Sequence, residues 1–181
     1  MRADALEATI EVLTESGYAA LTLDAVARRA GVHKTTLYRR WRTREALVLD
    51  AMLALAGERI PITDTGSLRS DLTALATAAA ATAGTPQGQA VVRAVVAAGA
   101  HDPALADASH RFWTERLALD GEIVERAIAR GEVPAGTDPR TVIEAVLGPI
   151  YFRLLVTAEP PERAFIERVV AMVAAGASSA A

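Results

Sequence analysis

Apolar positions recur at helical spacing almost from the first residue of this chain. Between about Ala3 and Ser16, Leu6, Ile10 and Leu13 share one face while Glu7, Glu11 and Glu15 lie elsewhere, and Gly17 closes the helix. Thr22 stands where a cap is needed ahead of LDAVARRA, and Asp24 falls in the first turn, where an acid suits the positive end of the helix dipole. Ala30-Gly31-Val32 reads as a tight turn. A third helix follows from near Lys34 to about Trp41, and Thr43 caps a fourth that reaches about Gly57. The stretch RIPITDTG, with Pro61, Thr63, Asp64 and Gly66, is a loop by composition.

The helical pattern then resumes. Helices are expected from about Ser67 to Ala83, from Pro86 to Gly99 and from Pro103 to Arg130. Gly131 and Pro134-Ala135-Gly136 break the pattern, and Asp138-Pro139 offers a cap followed by a proline at the first helical position. That helix is expected to reach about Ala158, ahead of Pro160-Pro161. A last one spans about Glu162 to Ala175, with GASSAA as a frayed tail. Strict alternation is hard to find and much of the apolar content is alanine, a strong helix former. The expectation is an all-α fold of about nine helices. A three-helix unit with a helix-turn-helix occupies 1–47, and a helical bundle occupies 48–181.

Charge changes the picture for the first part. The whole chain has a formal net charge of -3, yet Arg28, Arg29, Lys34, Arg39, Arg40, Arg42 and Arg44 follow one another with no acid between them. Set against the total of -3, these seven cations leave -10 on the remaining residues. An acidic remainder repels DNA, so approach by one end is implied. The spacing around this run has a steric logic. Ala27 is small where the next helix crosses, Gly31 turns the chain, and Val32 and Leu37 point inward with Leu23 and Val26. Lys34, Thr35, Thr36, Tyr38, Arg39 and Arg40 are left on the outer side, and these side-chain types reach phosphates and base edges. A solvated basic helix face is the plainer alternative.

The stretch TLDAVARRAGVHKTTLYRRWRTREAL resembles the N-terminal signature of the TetR (tetracycline-repressor-like) transcriptional regulators. The resemblance rests on Thr22, Val26, Ala27, Ala30, Gly31, Val32, Thr36, Leu37, Tyr38, Trp41, Glu45 and Leu47. Trp41 stands where phenylalanine is usual, Arg44 for lysine and Arg40 for a frequent histidine. The resemblance implies phosphate contacts from Thr22, Tyr38 and Arg44, and base or phosphate contacts from Lys34, Thr35, Thr36, Arg39 and Arg40. Arg28, Arg29 and Arg42 would add only long-range attraction. VLGPIYFRLLVTAEP resembles the penultimate helix of one branch of the same family.

The segment from Thr141 to Val156 is apolar nearly all round, which demands burial on every side. Its own core can cover only part of it, so this helix and the last one are expected to meet their copies in a second subunit. Val146, Ile150, Leu154, Phe165, Val169 and Val173 are the candidate contacts of a homodimer, which the resemblance also implies. Gly148-Pro149 should kink or widen the helix. His110, Trp113 and Leu117, with Tyr151 and Phe152, are candidates to line a pocket for a small molecule, although ordinary core explains them as well. His101 reads as a loop histidine.

Other chemistry is thin. There is no cysteine, so disulfides and thiolate sites are excluded. No phosphate loop, metal-ligand spacing or catalytic site is evident, and no cofactor is implied. The acids in MRADALEATIEVL do not suit a signal peptide, and no membrane span is expected. The reading is a cytoplasmic, non-enzymatic regulator. It would act on double-stranded DNA at a pseudo-palindromic operator, as a homodimer, most simply as a repressor that an unidentified small-molecule effector releases. Its rivals are a helical carrier or enzyme with an incidental basic end, and a DNA-coating protein without operator choice.

Overall fold

A computed structural model describes residues 1–60, 62–99 and 103–179, with the side chains of 56–59, 97–99 and 179 left aside. His101, Pro61 and the last two residues lie outside the described part. Nine α-helices and no strand occur among the described residues. They are α1 (Arg2–Ser16), α2 (Leu23–Ala30), α3 (Lys34–Arg40), α4 (Arg44–Arg59), α5 (Leu68–Ala83), α6 (Pro86–Gly99), α7 (Pro103–Arg130), α8 (Pro139–Phe152) and α9 (Arg163–Ser179). The all-α expectation is borne out.

The helix limits follow local chemistry. Thr22 accepts a hydrogen bond from the Ala25 amide at 3.0 Å and so caps α2, while Ser67 and Asp138 do the same for α5 and α8. Gly31 ends α2 at φ 65°, in the left-handed region that costs glycine nothing. Its N–H bonds to the Arg28 carbonyl and the Val32 N–H to that of Ala27, a Schellman ending. Two features went unforeseen, a short 3-10 turn at Tyr18–Ala20 and the course of the C-terminal tail. The widening expected around Gly148-Pro149 occurs one turn later, as a π turn over Arg153–Thr157 in place of ordinary α-helix to Ala158. The expected tail is also helical through Ser179, with the Ser178 hydroxyl donating to the Ala174 and Glu132 carbonyls.

The chain divides into two compact units. The first joins residues 1–58 to 85–112, so that α6 packs with α1. Its core holds Leu6, Leu13, Leu21, Val26, Leu37, Leu47 and Val48, all buried. The second joins 59–84 to 113–181, with α5 packed on α8 and α9. Leu72, Leu75, Ile123, Ile143, Ile150 and Val170 fill its centre. Each fully buried leucine or isoleucine contributes about 1.5–3 kcal/mol relative to exposure.

Polar residues tie this second core to its loops. Asp71, fully buried, accepts from the Thr65 amide and hydroxyl, both at 2.6 Å, and Arg126 donates to the Thr63 carbonyl at 2.7 Å. Glu132 accepts the Leu68 amide at 2.8 Å and so serves as a second cap for α5. Arg116 and Asp120 form a buried ion pair one helical turn apart on α7, and Arg116 also donates to the Ile60 carbonyl at 3.0 Å.

Candidate nucleic-acid interface

Leu37 is fully buried and Trp41 nearly so, which orients α3 with these two residues inward. The opposite face then carries Lys34, Thr35, Tyr38 and Arg39, at the spacing that places i, i+1, i+4 and i+5 together on a helix. All four are exposed, and none makes a side-chain hydrogen bond or ion pair among the described residues. Thr36 is half-buried beside them, and Arg40 is exposed with its guanidinium 5.2 Å from the Trp41 ring centroid. Val32, expected inside, is only half-buried.

The other cations differ in what already holds them. Arg29 is bound from α2 to α1, 2.7 Å from Glu15 and 3.2 Å from Glu11. Arg44 is more constrained than its sequence suggests. Its Nε lies 2.9 Å from Glu45, which also accepts the Tyr18 hydroxyl at 3.0 Å, and its guanidinium rests 4.5 Å over the Tyr18 ring. The hydrogen bond to Glu45 holds the Arg44 pKa above its ordinary value. Thr22 is exposed and its oxygen caps α2, which leaves its hydroxyl proton to donate outward. Such a surface of unpaired cations and hydroxyls, on a short helix held by a tight turn, suits a polyanionic groove.

The remaining candidates separate. On α7, His110 is exposed and belongs to the first unit, whereas Trp113 and Leu117 belong to the second. Trp113 and Tyr151 meet edge to face, with ring centroids 5.6 Å apart. Burial, and then the Asp120 carboxylate, pushes the Tyr151 phenol up to about 12, against the opposing pull of Arg116. Leu117 is core, and Phe152 is 57% exposed, so it does not line an interior site. Sequence reasoning did not single out Asp120, because the pairing that gives it meaning depends on burial.

The dimer candidates also need correction. Val146, Ile150 and Leu154 are buried in the second unit's own core and offer no surface to a partner. Phe165, Val169 and Val173 are half-buried, and Arg153 covers the Phe165 ring at 3.8 Å. On α8, its π extension and α9, the large apolar residues presented to solvent are instead Phe152, Val156 at 68% and Met172 at 76% exposed among the described residues. No described helix is long and apolar enough to cross a membrane.

Residues 5–51 match the family described as bacterial regulatory proteins, tetR family, and residues 62–173 match the tetracyclin repressor-like C-terminal domain. The HTH-type transcriptional regulator AqdR of Rhodococcus erythropolis is 40% identical over 81% of this chain and 70% of its own. The DNA-binding transcriptional repressor TetR of Mycobacteroides abscessus is 33% identical over 91% and 87%. Among solved structures, the TetR family transcription regulator SCO0332 is 33% identical and superposes with a TM-score of 0.80 over 97% of each chain.

Proposed function

The chain belongs to the TetR family of DNA-binding transcriptional regulators, and we propose that it acts as a ligand-responsive repressor that binds a pseudo-palindromic operator as a homodimer. The observation that carries the reading is the outer face of α3. Lys34, Thr35, Tyr38 and Arg39 stand exposed there with no side-chain hydrogen bond or ion pair among the described residues. The DNA-reading part is taken as 1–47 and the effector and dimer part as 48–181. Thr22, Tyr38 and Arg44 serve as phosphate contacts; Lys34, Thr35, Thr36, Arg39 and Arg40 reach bases or phosphates. Arg44 does so as a pre-oriented but partly neutralised donor, because Glu45 already holds it.

The homodimer is supported by exposed apolar residues at two places: Phe152 and Val156, one turn apart at the end of α8 and in its π extension, and Met172 on α9, which shares a stripe of its helix with Phe165, Val169 and Val173. Isologous pairing through these residues presents two reading helices to half-sites about 34–36 Å apart, or a multiple of that distance. Helix α4 begins at Arg44 beside the reading unit and ends at Arg59, where the second compact unit begins. It is the natural lever between an effector and DNA. The effector works only through different affinity for the two reading-head spacings.

Gel-shift titration tests the reading, with fragments selected from random DNA by the protein itself. Binding to a selected palindrome far above random duplex supports it. Equal binding to both indicates a DNA-coating protein, and no binding indicates a carrier or enzyme.

A further inference from the structure

One carboxylate of the first unit joins three helices. Asp50, on α4, accepts the indole Nε1–H of Trp41 at 3.0 Å, and Trp41 is the residue that directly follows α3. Asp50 also accepts from Arg2 of α1, through Nε at 3.2 Å and through a second, shorter bond from Nη2. Trp41 is 4% exposed, and the guanidinium of Arg40, the last residue of α3, lies over its ring. Burial pushes the Asp50 pKa up, but the hydrogen bonds from Arg2 and Trp41, with the charges of Arg2 and Arg40, bring it below the ordinary value. Asp50 is therefore a charged acceptor at the bond.

We propose that Asp50 is a positioning residue for DNA reading, fixing through the Trp41 indole the angle at which the C-terminal end of α3 presents Arg39 and Arg40. The inference rests on the DNA-reading role proposed above. Helix α3 has seven residues and no side-chain cap at its start. A helix that short has little stability of its own, so its pose is set by tertiary ties. Leu37 supplies one, by burial, which fixes depth but has no direction. A hydrogen bond from the indole is directional and acts a full turn farther on, at the end where the two arginines project. Phenylalanine at position 41 fills much of the same volume but carries no N–H. Asparagine at position 50 still accepts the indole proton through its amide oxygen, yet brings no charge to hold Arg2.

The test uses the full chain and an operator that the wild type selects from random DNA. Affinities for that operator and for a random duplex are measured for the wild type, W41F, D50A, D50N and the W41F/D50A double variant, together with thermal midpoints. W41F and D50A each weaken operator binding about tenfold, the size of one hydrogen bond to a charged group. Random-duplex binding, which depends on charge, does not fall with them. The double variant binds no worse than D50A, because the bond that W41F removes is already absent there. D50N, which keeps the acceptor, loses less than D50A. In a W113F background Trp41 is the sole tryptophan, and its emission shifts on D50A.

Wild-type operator affinity in folded W41F overturns the proposal, as do additive losses in the double variant, an unmoved Trp41 emission, or random-duplex binding that falls in step. Should D50A fail to fold, W41F and D50N carry the same comparison. A wild type that selects no sequence defeats the DNA-reading role and this assignment together. A wild type that selects one, with W41F its equal, defeats this assignment alone.

Discussion

Lys34→Ala isolates the electrostatic part of DNA binding, because Lys34 is exposed and holds no ion pair or side-chain hydrogen bond among the described residues. Its loss changes folding stability by less than about 0.5 kcal/mol, as is usual for a surface site. Its effect on DNA is different in kind. Each neutralised phosphate contributes about 0.9 to the slope of log K against log salt. A homodimer carries the substitution twice, so the slope falls by about 1.8. Over a fourfold rise in salt, the wild type then loses about twelvefold more affinity than the variant does. Fluorescence anisotropy on a labelled selected operator, at four or five salt concentrations, gives both slopes. Arg29→Ala is the internal control, since Glu15 and Glu11 already neutralise that guanidinium. Arg44→Ala should fall between the two, its charge being shared with Glu45. A folded Lys34→Ala protein with the wild-type slope, or an Arg29→Ala protein with as large a change, refutes the assignment of the α3 face.

Other outcomes follow from the second unit. Asp120→Leu strands the buried Arg116 charge and costs about 3–5 kcal/mol in urea unfolding; Arg116→Met added to it recovers most of that loss, and additive losses would contradict the pairing. If the proposed homodimer pairs through the exposed face of α9, Met172→Glu on that face gives a monomer by light scattering, whereas Val146→Ala, at a core position, lowers stability without changing the oligomeric state. The Glu132 pKa is lowered, first by the hydrogen bond from the Leu68 amide, so its contribution is present above the ordinary value of 4.5 and lost as pH falls through the folded value. Glu132→Gln should therefore narrow its stability gap to the wild type as pH drops from neutral through that range, and a constant gap would contradict the cap.

Helix limits were legible because their signals are local. Thr22, Gly31 and Asp138-Pro139 each fix a boundary through groups within a few residues of themselves. The inward register of α3 was legible for the same reason, with Leu37 marking the buried side. What periodicity does not carry is the identity of the neighbour. Val146, Ile150 and Leu154 lie on one face of α8 and its π extension, yet nothing in their spacing says whether that face meets its own chain or a second copy. The structure turns them into their own core and leaves Phe152 and Val156 outside. Likewise Arg44 and Trp41 read as a cation and a core aromatic. Their ties to Tyr18 and Asp50 join elements distant in sequence. The π turn has no clear local signal beyond Pro149, which removes one amide from α8 a turn earlier.

Two reading heads in fixed register on one face of DNA imply strict dependence on half-site spacing. The decisive measurement is the affinity for a selected palindrome against the same half-sites with five base pairs inserted between them, about half a helical turn. Two chains should bind per intact duplex, and the insertion should reduce affinity to that of random DNA. Equal affinity for both duplexes, or one chain bound per palindrome, would contradict the paired reading heads.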